Sequence, residues 1–165
     1  MRLALPLLAV TLVLVGCGAF SRRTTTTVVL TGPAAAVGTG STTLYRSSDG
    51  WAVVRQGSKA IALHLVHGKW RRDRTGAVRI DILGPLRRAA RQPQVAAQFS
   101  AKSDLVETGL WVDGVDLLVK GGGTAQKATI YGTTSKPLRR GRHVAVAYGR
   151  TGTSANAVAW TFRVG

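Results

Sequence analysis

The chain has 165 residues, of which 45% are hydrophobic, and its 23 Lys and Arg against 7 Asp and Glu give a formal net charge of +16. One cysteine excludes an internal disulfide framework. With a low-complexity start set aside, about 120 residues remain to fold, enough for one core or two small ones.

Met1-Arg2 is a short positive start, Leu3 to Val15 is almost wholly apolar, and the small Gly16 precedes Cys17. Charge, apolar run and small residue make an export signal over residues 1–16. The run is about 13 residues, short of the roughly 20 that a helix needs to cross a bilayer, and it contains Pro6. The tetrad Leu14-Val15-Gly16-Cys17 resembles the lipobox of bacterial lipoproteins. That resemblance implies a diacylglycerol on the Cys17 sulfur, with the mature protein exported and held at the bacterial cell membrane, facing outward. Sulfur is the nucleophile that takes the lipid, and two acyl chains anchor stably where one is marginal. The other reading is a secretory signal with an incidental cysteine, which would leave an exported thiol open to oxidation.

Residues 17–43 are rich in Thr, Gly and Ala and read as a lipid-anchored flexible tether, although Thr24 to Leu30 has a strand-favouring composition. From Leu44 the pattern turns to period two. Ile61, Leu63 and Leu65 alternate with Ala62 and His64, and Ile80 and Ile82 alternate with Arg79 and Asp81. Leu110 and Val112 bracket Trp111, while Val158, Trp160, Phe162 and Val164 share one face. Turn signals separate these runs at Asp49-Gly50, His67-Gly68, Asp113-Gly114 and Gly121-Gly122-Gly123. The segment 85–93, bracketed by prolines, offers at most one helical turn as a connector. The class expected is all-β, a sandwich or barrel.

The end of the chain carries a further pattern. Pro137, Leu138, Gly141 and His143 precede the apolar run Val144 to Tyr148, and Trp160, Phe162 and Val164 follow a turn. This resembles the last hairpin of bacterial immunoglobulin-like domains, and residues 100–117 resemble their middle strands. The resemblance implies an Ig-like antiparallel β-sandwich over residues 93–165. Residues 44–92 are then a smaller β unit that packs on it, because some fifty residues make a marginal core alone, or they donate strands to one larger sandwich. The final turn lacks the acidic residue many relatives place there.

No catalytic constellation emerges. His64 and His67 lie three apart on a strand pattern and point to opposite faces. His143 stands apart from them, and no metal set forms. Asp104 with Glu107, and Asp113 with Asp116, read as turn and edge residues rather than an acid–base pair. No serine sits in a nucleophile elbow, and Lys120 to Lys127 does not match a phosphate loop. The chain is therefore expected to be no enzyme and to need no cofactor.

Three basic groups remain. Lys69, Arg71, Arg72 and Arg74 surround Trp70; Arg139, Arg140 and Arg142 lie beside His143; Arg87, Arg88 and Arg91 form the third. Guanidinium groups suit phosphate and carboxylate, and an indole suits a sugar or a lipid interface. Equally, Trp70 suits a core position with its arginines solvated. An export signal argues against nucleic acid, so anionic wall polymer, lipid head groups or an envelope protein are the partners expected. The function expected is a binding or structural module in the cell envelope. The alternatives are an accessory subunit docking an envelope complex and an envelope hydrolase.

Overall fold

The computed structural model describes residues 32–165, and every element in that span is a β-strand. The expected signal, Cys17 and the Thr24–Leu30 segment lie outside the described residues. The strands are β1 (Ser41–Arg46), β2 (Trp51–Gln56), β3 (Lys59–Val66), β4 (Lys69–Arg72), β5 (Val78–Gly84), β6 (Arg88–Ala89) and β7 (Gln94–Ala101). They continue as β8 (Glu107–Val112), β9 (Val115–Asp116), β10 (Lys120–Thr124), β11 (Lys127–Thr133), β12 (Gly141–Arg150) and β13 (Ala155–Val164).

Three sheets stack as layers. The first is the antiparallel meander β1-β2-β3-β4. The other two, β10-β11-β7-β5 and β6-β13-β12-β8-β9, face each other. A four-stranded sheet facing one built on β8, β12 and β13, with crossing connections, is the immunoglobulin-like sandwich. The short β6 runs parallel to β13, while every other pair is antiparallel.

Two of the hairpin cues form as their residues dictate. His67-Gly68 joins β3 to β4 and Asp113-Gly114 joins β8 to β9, each as a two-residue loop. Both residues of each loop have positive φ, 49° and 75° at the first and 52° and 90° at the second. That is the type I′ geometry whose twist matches a hairpin. Gly121-Gly122-Gly123 differs from expectation: it lies within the edge strand β10, not in a turn. A Cβ at Gly121 or Gly123 would fall 2.1 or 2.0 Å from a carbonyl oxygen of β11, so glycine here serves close backbone approach.

The strand pairing also moves the boundary between the two units. β5 and β6 lie within the span 44–92 but pair with β7 and β13, so the sandwich begins at Val78. The meander ends at Arg72. Of the expected tether, residues 32–43 include packed chain: Ala34 and Val37 rest on Ala52, Val54 and Leu63 of the meander's outer face, and β1 starts at Ser41. The segment 85–93 holds the extended β6 in place of a helical turn.

Alternation explains the layers. On β12, Ala145 and Ala147 face the sandwich core with Leu110, Phe99, Trp160 and Phe162. Val146 and Tyr148 face the other way, with Trp111, and are covered by Trp51, Val53, Ala60 and Ala62 of the meander. A strand apolar on both faces is thus buried on both. Polar ties reinforce the inner seam. Arg150, 8% exposed, bonds Glu107 at 2.8 Å and Asp49 of the β1–β2 turn at 3.0 Å. The Tyr45 hydroxyl donates to Glu107, and burial together with that carboxylate pushes the phenol up to about 12. The connection 73–77 is clamped at its start: Asp73 accepts from the amides of Thr75 and Ala155 and from the Ser154 hydroxyl.

Core tightness can be tested at one glycine. A Cβ on Gly149 would sit 2.5 Å from the Phe99 ring, whereas Gly152 faces open space. Gly149→Ala is expected to cost about 1–3 kcal/mol in urea unfolding, and Gly152→Ala to stay within about 0.5 kcal/mol of the parent. Equal stabilities would mean that the Phe99 ring has room to shift.

Candidate functional site

The basic residues sort by the ends of the β12–β13 hairpin. Gly141 pairs with Val164 at one end and Arg150 with Ala155 at the other. Ten paired residues at about 3.3 Å each separate the ends by roughly 30 Å.

At the His143 end, two of the three basic groups meet. Arg142 and Arg163 are cross-strand neighbours, and the parallel pairing of β6 brings Arg88 opposite Arg163. The Arg163 amide donates to the Arg87 carbonyl at 2.8 Å, which fixes the Arg87 backbone there. Arg87, Arg142 and Arg163 line a cleft of about 410 Å³ with Thr161 and Phe162. No carboxylate lines it, and no ion pair among the described residues involves these three arginines. Arg139 and Arg140 are exposed just before β12. Arg91 donates to the Leu138 carbonyl at 3.2 Å and accepts the Leu138 amide, which ties the third group to the second. Arg163 was not among the residues singled out from the sequence. Its place in a strand alternation was visible, but its neighbours were not.

The Trp70 group lies at the opposite end. Arg72 and Arg74 share a cleft with Ala155 and Asn156, while Lys69 and Arg71 are exposed on β4. Trp70 is half-buried against the meander's outer face, and the Arg46 guanidinium sits 5.4 Å from its ring. The three basic groups therefore do not share one surface.

His143 is where the sequence reading needed most revision. It is 7% exposed, and Asp113 lies 2.6 Å from its Nδ1. Its Nε2 lies 2.7 Å from the Arg139 carbonyl. Asp113 also accepts the Val144 amide at 3.0 Å. In many immunoglobulin domains a tyrosine near the start of the equivalent strand bonds back to the chain a few residues upstream. His143 makes that corner here, stacked on Phe162 at 5.6 Å. A further cleft of about 500 Å³ opens beside it, walled by Val115, Leu117, Pro137 and Leu138. His64 stacks on Trp51 at 4.0 Å, and His67 occupies the β3–β4 turn. Among the described residues, no three His, Cys, Asp or Glu converge as metal ligands.

No family model and no curated protein matches the chain. Among solved structures it is similar to titin domain M4 in a trigonal form, at 16% identity and a TM-score of 0.36, covering 54% of this chain and 96% of that one. It is similar to a chain of the titin M10–obscurin-like 1 immunoglobulin complex, at 15% identity and 0.34, covering 52% and 92%. A tandem pair of titin immunoglobulin domains gives 4% identity and 0.35, covering 73% and 76%. The immunoglobulin-like assignment stands on strand order and register.

The His143 corner predicts a pH dependence. Burial lowers the imidazole's proton affinity, but the Asp113 carboxylate and the Arg139 carbonyl outweigh it and raise the folded value above 6.5. A raised value stabilises the fold fully below the unfolded value and loses that contribution as pH rises through the folded one. The urea midpoint should therefore fall on going from about pH 6 to above the folded value. His143→Phe, which keeps the ring, should flatten that slope. A variant with the parent's pH profile would remove His143 as its source.

Proposed function

We propose that this protein is a non-catalytic, lipid-anchored cell-envelope module whose immunoglobulin-like sandwich binds anionic groups through the arginine cleft at its His143 end. The carrying observation is the convergence of Arg87, Arg142 and Arg163 around about 410 Å³ without a carboxylate. Guanidinium forks bind phosphate and carboxylate bidentately, and three in one concavity give a directed site rather than diffuse charge. The anchor reading is supported by Leu14-Val15-Gly16-Cys17. Together they support the reading of a basic module held at an outward-facing membrane surface, where anionic lipids and wall polymers would be the counterparts.

A second reading, docking to an envelope protein, is favoured by β10. This edge strand is exposed throughout, and its three glycines leave the outer backbone groups uncovered by side chains. Such an edge accepts an added strand.

Polyphosphate is the probe for the cleft. Full-length protein is expected to bind it at about 50 mM salt and to lose most affinity near 500 mM, where screening is nearly complete beyond a few ångströms. Arg142→Glu with Arg163→Glu should weaken binding by about tenfold or more, while Lys102→Glu, on a distant exposed loop, should not. Affinity indifferent to the paired reversal would overturn the site. For the anchor, cells fed an alkyne fatty acid should label the parent protein and not Cys17→Ser. A labelled serine variant would end that part of the reading.

A further inference from the structure

We infer that the anionic partner of this cleft is a phospholipid bilayer, met by the His143 end of the sandwich with Leu83 and Leu86 inserted beside the arginine–phosphate contacts. The inference rests on the reading of the cleft as an anion site and names its ligand.

Leu83 and Leu86 are 53% and 63% exposed, among the few large aliphatic side chains left open to solvent. They flank Gly84-Pro85, Leu83 near the end of β5 and Leu86 in the connection to β6, and lead directly into Arg87 and Arg88. Their position is built rather than loose. Leu83 falls where the β5–β7 register shifts between Ile82 and Gly84. Ile80 and Ile82, on the regular part of the strand, pack against the core. The Pro85 carbonyl accepts the Trp160 indole at 2.9 Å and the Arg87 carbonyl accepts the Arg163 amide, so the segment bearing Leu86 is held on both sides.

Val115, 62% exposed, lies toward the same end, because β8 finishes with Val112 opposite Ala145 and the following turn donates the Asp113 amide to the Val144 carbonyl at 2.8 Å. Lys136 and Arg139 stand beside it around the larger cleft. Asp113, also beside that cleft, is committed to His143 and the Val144 amide. Exposed aliphatic side chains and unpaired guanidinium groups thus lie toward the same end of the sandwich. A soluble polyanion would use the cations and leave both leucines in water. A bilayer surface uses both, with phosphates for the arginines and the acyl boundary for the leucines.

The test reads depth rather than association, since Leu3 to Val15 is itself apolar. In the full chain with Cys17→Ser, Leu86→Cys supplies one thiol for a polarity-sensitive fluorophore. Phosphatidylglycerol vesicles are expected to blue-shift this label, and nitroxide on the acyl chains to quench it. Phosphatidylcholine vesicles should leave it unchanged. A label at Thr153→Cys, exposed in the turn at the far end of the hairpin, should stay silent. Adding Arg142→Glu with Arg163→Glu should lower the apparent vesicle affinity by about tenfold or more. If polyphosphate binds the cleft while the residue-86 label ignores phosphatidylglycerol, the bilayer inference is overturned and the anion site stands. If both probes fail, both readings fall. Equal shifts on the two kinds of vesicle would overturn the inference as well, by removing the role of the arginines.

Discussion

The fold depends on one sheet that is apolar on both sides. Along β12, Ala145 and Ala147 need one cover, and Val146 and Tyr148 need another. The β10-β11-β7-β5 sheet supplies the first and the meander the second. This explains how the sandwich stands without a cross-sheet disulfide, since the only cysteine is residue 17. Small alanines at 97, 145 and 147 leave room that Trp160, Phe162 and Phe99 fill. Trp111, on the strand whose tryptophan often fills an immunoglobulin core, turns outward and serves the meander seam instead. The additional layer removes that sheet face from solvent, so recognition is left to the ends and edges.

The charge distribution follows from how few acids there are. Of seven, Asp49 and Glu107 hold Arg150, Asp73 clamps the linker, Asp113 holds His143 and Asp81 pairs with Arg79. Five are thus committed to scaffolding, and the excess of arginine appears where no carboxylate reaches. The cleft at the His143 end is the clearest case. Its electropositive character comes from the absence of counter-charge as much as from the number of guanidinium groups.

Local signals were legible in the sequence and non-local ones were not. Period-two alternation marked the strands, and Trp160 and Phe162 read correctly as core residues on one face. His67-Gly68 and Asp113-Gly114 made their turns because both demands, positive φ and hairpin twist, are local. Gly121 to Gly123 misled, since composition does not distinguish a turn glycine from one pressed against a neighbouring backbone. That residues 44–92 could lend strands to the sandwich was an open alternative, but proximity in sequence hides which of them, β5 and β6, pair with β7 and β13. The same limit concealed the site. His143 seemed solitary because Asp113 reaches it only through the β8–β12 pairing, and Arg163 joins Arg87 only through a parallel ladder.

The clamp on the 73–77 connection carries one more consequence. A meander tied to its sandwich by a short segment is the usual material of exchange between molecules, each lending its first sheet to a neighbour. Asp73 holds the Ala155 amide and the Ser154 hydroxyl at the very point where the segment leaves β4. The linker is thereby fixed to the β12–β13 turn at its root, which removes much of the freedom that such an exchange needs in its hinge.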